Sequence, residues 1–336
     1  MPPLAWVPSP ALGVSAQRPR ATTLEEIYDD CQHRWVGTMT RTLSGHDITL
    51  RAGAYTAHVV SVGAALASLT FNGRDVTLPF DPNVLTKGYF GKTLAPWPNR
   101  ITEATYTWNG ERMDVPRNEI ETGAALHGLV SWTDWTVVHS DSDSATMSTF
   151  LPPQYGYPFA LDLSVTYALS AERGLSITIY AKNVGSEPAP YGCSHHPYIT
   201  IGQQSIDAMT LTVPAGKVFD VDKRLAPVEL KDVEDLDLDF RSGRLIGSQS
   251  VDHAFTELPD GTWQVSLCDE GGSSVSVTSD APWVQVYSGD QQGRIATAVE
   301  PMTCPPDAFN SGIDLIVLEP GEDYSMTFMI SADFVE

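Results

Sequence analysis

The chain is poor in cysteine, in basic residues and in long apolar runs. Only four cysteines occur in 336 residues (Cys31, Cys193, Cys268, Cys304), with no C-x-x-C spacing, so neither a zinc ribbon nor a disulfide framework is indicated in a chain this long. A reducing cytoplasm fits that pattern. The 20 Lys and Arg against 42 Asp and Glu leave a net charge of −22, which repels phosphate backbones and anionic bilayers and provides no basic stripe for nucleic acid. The expected ligand is therefore neutral or weakly charged. No stretch reaches the roughly 18 to 20 apolar residues a membrane span needs, and the first nineteen residues place prolines where a secretion signal needs an apolar centre. Walker, GxGxxG and HExxH signatures are also missing, so nucleotide and zinc-protease chemistry have no foothold.

Amphipathic helical periodicity is nearly absent as well. From Asp47 onward the chain runs in short alternating segments rich in Val, Thr, Ile and Tyr, which predicts strands at 48–51, 56–62, 66–71, 105–108, 136–139, 161–169, 175–181, 208–213, 263–268, 274–278, 283–287, 313–317 and 324–330. Asn72-Gly73 and Asn109-Gly110 predict type I′ hairpins, because both central residues of that turn need φ > 0. Short strands without intervening helices predict an all-β fold, a large antiparallel sandwich rather than βαβ units. Residues 1–45 read as an N-terminal extension, partly disordered, with capping-box spacing at Thr23-Leu24-Glu25-Glu26 predicting a short helix to about Trp35; residues 46–336 read as one domain. The run from Asp232 to Asp239 alternates acids with apolar residues and lacks the Gly and terminal Glu of a calcium loop, so a solvated edge or loop is expected.

One residue stands out among the candidates for chemistry. Glu300 follows a β-branched run and precedes Pro301, whose ring removes a ladder donor and restricts its neighbour to extended geometry, so the carboxylate is aimed from a strand end. A histidine supplies the complementary acid near neutral pH. His195-His196-Pro197-Tyr198 offers two, of which only one can face a given pocket from an extended segment; a zinc site is the competing use, and a histidine satisfied within the core suits His195 better than His196. His127, before Gly128 and near Trp132 and Trp135, suits a sugar site or plain core packing. Arg100, after the rigid Pro96-Trp97-Pro98-Asn99, can fork onto hydroxyls or form an ordinary salt bridge. Asp252 can accept from ligand hydroxyls or cap a turn.

Taken in order, Pro98-Asn99-Arg100-Ile101, Leu126-His127-Gly128 with Trp132, His196-Pro197-Tyr198, Asp252 with Phe255, Gln285-Val286-Tyr287-Ser288-Gly289 and Glu300-Pro301 resemble the motifs of the aldose 1-epimerases, the galactose mutarotases, from about Ile48 to the C-terminus. That resemblance implies a galactose mutarotase-like β-supersandwich and cofactor-free, metal-free exchange of the α and β anomers of a neutral aldose by a monomer or homodimer. Glu300 would be the base and His196 the acid with His127 assisting; Arg100, Asp252, Asn99, Tyr198, Trp132 and Tyr287 would bind the sugar. Two other classes stay open on the residues alone: a glycoside hydrolase using Glu300 and Asp252 as a carboxylate pair, and a non-catalytic carbohydrate-binding sandwich.

Overall fold

Strand alternation sets the architecture. In the computed structural model, which describes residues 40–86 and 88–335, the strand Leu161–Ser170 buries every second side chain (Leu161, Leu163, Val165, Tyr167, Leu169), and its antiparallel neighbour Gly174–Asn183 does the same with Leu175, Ile177, Ile179 and Ala181. These two form the middle of a nine-stranded sheet running Thr136–Ser140, Ser144–Leu151, Leu161–Ser170, Gly174–Asn183, Asp323–Asp333, Ser274–Ser279, Trp263–Cys268, Thr210–Thr212, Arg244–Leu245. A five-stranded sheet from Thr40–Thr42 to Arg74–Asp75 packs against it, and both feed one hydrophobic cluster together with a third, eight-stranded sheet. Every strand pairing within these three sheets is antiparallel, as the alternation predicts. The predicted helix between Thr23 and Trp35 lies outside the described residues. Among those that are described, no helix is long and apolar enough to cross a membrane.

Both Asn-Gly pairs form two-residue hairpins with positive φ at each position: Asn72 at 50° and Gly73 at 76°, Asn109 at 49° and Gly110 at 82°. The acidic run starts at a sheet edge and continues into a turn, within the expectation of a solvated edge or loop. Pro227–Asp232 is the outermost strand of the eight-stranded sheet, and the carboxylates around the turn after it are held by Lys217, Arg241 and Arg244.

The eight-stranded sheet carries the site because it is buried on both faces. Along Thr297–Met302 all six residues are buried: Val299 points into the main core, whereas Ala298, Glu300 and Met302 share the opposite face with Tyr198, Tyr287 and Trp283. The expectation of a strand end at Glu300-Pro301 needs correction. The strand continues through Pro301, which pairs with Val284, to Met302, which pairs with Trp283. Proline is tolerated there because the neighbouring chain breaks its ladder opposite it, between Ser194 (paired with Met302) and Tyr198 (paired with Ala298), and the missing amide has no acceptor waiting. In that gap lie His195, His196 and Pro197.

A glycine fixes the other wall. Gly128 has φ +72°, and a Cβ built there would stand 2.1 Å from the carbonyl oxygen of Ala95. Gly128→Ala should therefore destabilise the fold by at least about 1–3 kcal/mol; an unchanged urea midpoint would show that the loop relaxes freely.

Candidate active site

Alternation along three adjacent strands delivers the polar residues to one face. Asp252 pairs with Tyr287 in register, Gln285 with Glu300, and the side chains of Asp252, Gln285, Tyr287 and Glu300 line a cleft of about 560 Å³. The broken ladder adds His196 and Tyr198, and the loops after the Pro96-Trp97-Pro98 run add Asn99, Arg100 and His127. All but one of the expected site residues thus meet. Trp132 does not line the cleft; its half-exposed indole covers the Lys92 ammonium, 4.4 Å from the ring centre, and reaches the site only through Tyr89, which packs edge-on against His127.

His196 and Glu300 are the closest acid and base pair. Glu300 Oε1 lies 3.4 Å from His196 Nε2, and both side chains are more than nine-tenths buried. Glu300 Oε2 and His196 Nδ1 have no hydrogen-bond partner, so one carboxylate oxygen is held free at the floor of the cleft. The His196 ring is stacked on Tyr198 at 4.9 Å and its backbone is pinned on both sides, N–H to the Lys92 carbonyl and carbonyl to the Gly91 N–H. His195 faces the other way. It is fully buried, with Nε2 2.8 Å from the Tyr167 hydroxyl, which itself donates to the Ala64 carbonyl; having spent its proton there, the hydroxyl accepts from His195. Of the adjacent histidines, one therefore serves the core and one the cleft.

Burial sets the protonation of the pair. It raises the Glu300 carboxyl well above the usual carboxylate range, with the nearby Asp252 charge adding to the effect and Arg100 opposing it. His196 is pushed down to about 3, mainly by the same burial, with the Arg100 charge contributing in the same direction. Both directions favour the uncharged forms, with a proton on Glu300 rather than on His196. Moving it to His196 gives a carboxylate base and an imidazolium acid without exchange with solvent.

The remaining cleft residues are likewise organised. Arg100 places Nε and Nη2 on the two oxygens of Glu119 at 2.7 and 2.8 Å, a bidentate pair, and its side chain is only 10% exposed. Asp252, in the strand Asp252–Thr256 rather than at a turn, accepts from the Gln285 amide at 2.7 Å. Asn99 has φ +52° and His127 φ +61°, both left-handed, which aims their side chains from tight backbone bends. Glu119, Gln285 and Tyr89 are cleft residues that sequence reasoning did not single out. Gln285 was within reach, since it lies two residues before Tyr287 on one strand and must share its face; nothing local marks Glu119.

Comparison with known proteins agrees with this arrangement. The aldose 1-epimerase family model matches residues 46–331. The uncharacterized protein YihR of Escherichia coli (strain K12) is 43% identical over 288 residues, covering 85% of this chain and 93% of YihR. An aldose 1-epimerase of Haemophilus influenzae is 25% identical over 226 residues, covering 61% of this chain and 65% of its own length. Among solved structures, a GalM/aldose epimerase homologue from C. elegans superposes with a TM-score of 0.76 at 23% identity, covering 85% of this chain and 98% of that one, so the galactose mutarotase-like fold is shared.

His127, His196 and Glu300 present ligand atoms within 4.8 Å of one another, a spacing a divalent metal can use. Hydrogen bonding works against it. His127 Nδ1 lies 3.2 Å from the Asn99 amide N–H, which can only donate, so the neutral ring carries its proton on Nε2 and has no free lone pair for a metal. The same bond makes His127 a fixed donor towards the cleft. Nitrogen NMR of the labelled protein at neutral pH should find Nδ1 of His127 bare and Nε2 protonated, and dialysis against zinc should leave the His127 signals unmoved; a stoichiometric zinc ion perturbing that ring would overturn the assignment.

Proposed function

The chain belongs to the aldose 1-epimerase family, and from that premise we propose that it interconverts the α and β anomers of a neutral aldose by acid and base opening of the sugar ring. The observation that carries the proposal is the buried contact between Glu300 and His196, a carboxyl and an imidazole 3.4 Å apart at the floor of a cleft lined by polar side chains.

In the proposed reaction Glu300 takes the proton of the anomeric hydroxyl while His196 protonates the ring oxygen. The bond between C1 and the ring oxygen breaks, its electron pair staying on that oxygen, and the electrons of the deprotonated hydroxyl form the aldehyde at C1. Rotation about C1–C2 presents the other aldehyde face, and closure with the two roles reversed returns both protons. Both groups are side chains of the protein, and the dyad begins and ends with the same single proton. His127, whose Nε2 proton is directed by Asn99, is suited to donate to an oxygen near the reacting centre. Arg100, Asp252, Asn99, Tyr198 and Tyr287 are proposed to hold the remaining hydroxyls, with Gln285 orienting Asp252.

Charge supports a neutral substrate. Glu119, Glu121, Asp252 and Glu300 face Arg100 and Lys223 across the cleft, and Arg100 is already paired. Freshly dissolved α-D-glucose, α-D-galactose, L-arabinose and D-xylose, followed by polarimetry, form the direct test, with a uronic acid and a hexose phosphate as charged controls. Acceleration for at least one neutral sugar, exceeding that for the charged ones, is expected. Binding without acceleration would favour a carbohydrate-binding module instead, and release of new reducing ends from oligosaccharides a hydrolase.

Substitutions sharpen the test. Glu300→Gln should lower the rate by roughly 10²- to 10⁴-fold while keeping the fold. His196→Asn should cost far more in kcat than His195→Asn, whose expected penalty is stability, since it strips a partner from the buried Tyr167 hydroxyl. The reverse ranking would contradict the assignment of the two histidines.

A further inference from the structure

Three carboxylates surround one deeply placed guanidinium, and the structure gives it to the one that takes no part in the chemistry proposed above. Arg100 feels the charges of Asp252, Glu119 and Glu300, yet its two parallel hydrogen bonds go to Glu119. We propose, resting on the mutarotase reading of the site, that Glu119 is a positioning residue: by occupying the Nε and Nη2 edge of Arg100 it keeps the guanidinium off Glu300 and preserves Glu300 as the proton acceptor.

The geometry supports this in three ways. Glu119 is held for the task by its own loop: its backbone N–H donates to the Ala124 carbonyl, its carbonyl accepts from the Gly123 N–H, and Thr122 Oγ1 donates to the carboxylate. The Arg100 fork is then saturated on one edge, while Nη1 has only a long 3.4 Å contact to Asn99 Oδ1 and stays turned to the cleft. Glu300 Oε2, in turn, lies buried with no hydrogen-bond partner, so the guanidinium makes no bond to it.

Electrostatics follow the same logic. The titratable groups that line the cleft with Glu300 are His127, His196, Tyr89, Tyr198 and Tyr287, the acids Asp252, Glu119 and Glu121, and the cations Arg100 and Lys223. Burial and Asp252 raise the proton affinity of Glu300 and Arg100 lowers it, while the carboxylate bonded to Arg100 is that of Glu119. Removing the Glu119 charge would leave the guanidinium uncompensated, its charge then bearing on the two remaining carboxylates, Asp252 first and Glu300 after it. A basic group would become a weak one.

The experiment is a carbon-13 titration of the Glu300 carboxyl in the full-length protein, which reads ionisation whether or not any sugar is turned over and so is independent of the mutarotase reading. In Glu119→Gln the midpoint should fall by about one to three pH units relative to wild type, and in Glu119→Asp, which keeps the charge, it should stay close to wild type. Arg100→Gln should move it the opposite way, upward, and keeps the proposal testable if Glu119→Gln does not fold. A Glu300 midpoint unmoved in Glu119→Gln, one that moves as far in Glu119→Asp, or a downward shift in Arg100→Gln would overturn the role. Thermal melts of each variant separate this from general loss of structure, which would lower Tm in all three without opposite titration shifts.

Discussion

The structure turns on a carboxylate almost wholly withdrawn from solvent at the floor of the cleft. Glu300 sits in a strand buried on both faces, 2% exposed, with one oxygen against His196 and the other without a partner. An ionised carboxylate in such a place carries a large desolvation cost, and the cheapest relief is to hold a proton. Much of the surrounding architecture follows from that: the ladder interrupted opposite Pro301, the gap that admits His196, and the Asp252 and Arg100 charges balanced on either side. The result is a buried carboxyl in contact with an imidazole, the pair on which the proposed ring opening and closing rests.

Rigid backbone, rather than tight side-chain bonding, holds the reacting groups in place. His196 is pinned through its amide and carbonyl to Lys92 and Gly91, and His127 through its amide and ring nitrogen to Asn99. Asn99 and His127 are both left-handed, and the two bonds between them fix that loop pair. These two left-handed residues help shape the cleft wall. By contrast, the nine-stranded sheet behind the site is regular, and its alternating Val, Ile and Leu give the site a stiff support.

Much of this was legible in the sequence because side-chain alternation is a local property. Leu161–Ser170, Gly174–Asn183, Trp263–Cys268 and Trp283–Tyr287 all read as strands, and the Asn-Gly turns fixed their hairpins. Strands with mixed character escaped: Ser144–Leu151, though alternating, is diluted by Ser and Thr, Lys217–Val221 and Pro227–Asp232 carry charges at and next to the sheet edge, and Asp252–Thr256 reads as a polar turn until its neighbours are known. Within the site, motif order located Glu300, His196, His127, Arg100 and Asp252, and the one-face rule separated His196 from His195. What could not be read was anything set by register or by distant loops. Gln285 opposite Glu300, Glu119 on the Arg100 fork, and Trp132 standing over Lys92 instead of in the cleft are all products of pairing between segments far apart in the chain.

The most direct test of a shared proton is the pH dependence of anomer exchange by the wild-type protein. An acid and base acting independently at their ordinary values would give a bell with half-height points near the usual carboxylate and imidazole pKa values, about 4.3 and 6.5. Here the second proton joins the pair only when His196, pushed down to about 3, accepts it, and the last one leaves only when Glu300, held well above its usual range, gives it up. The active one-proton form therefore spans a wider interval, and the rate should stay level from pH 4.5 to 6.5 with its acid limb near pH 3. Half-height points near 4.3 and 6.5 would contradict the account.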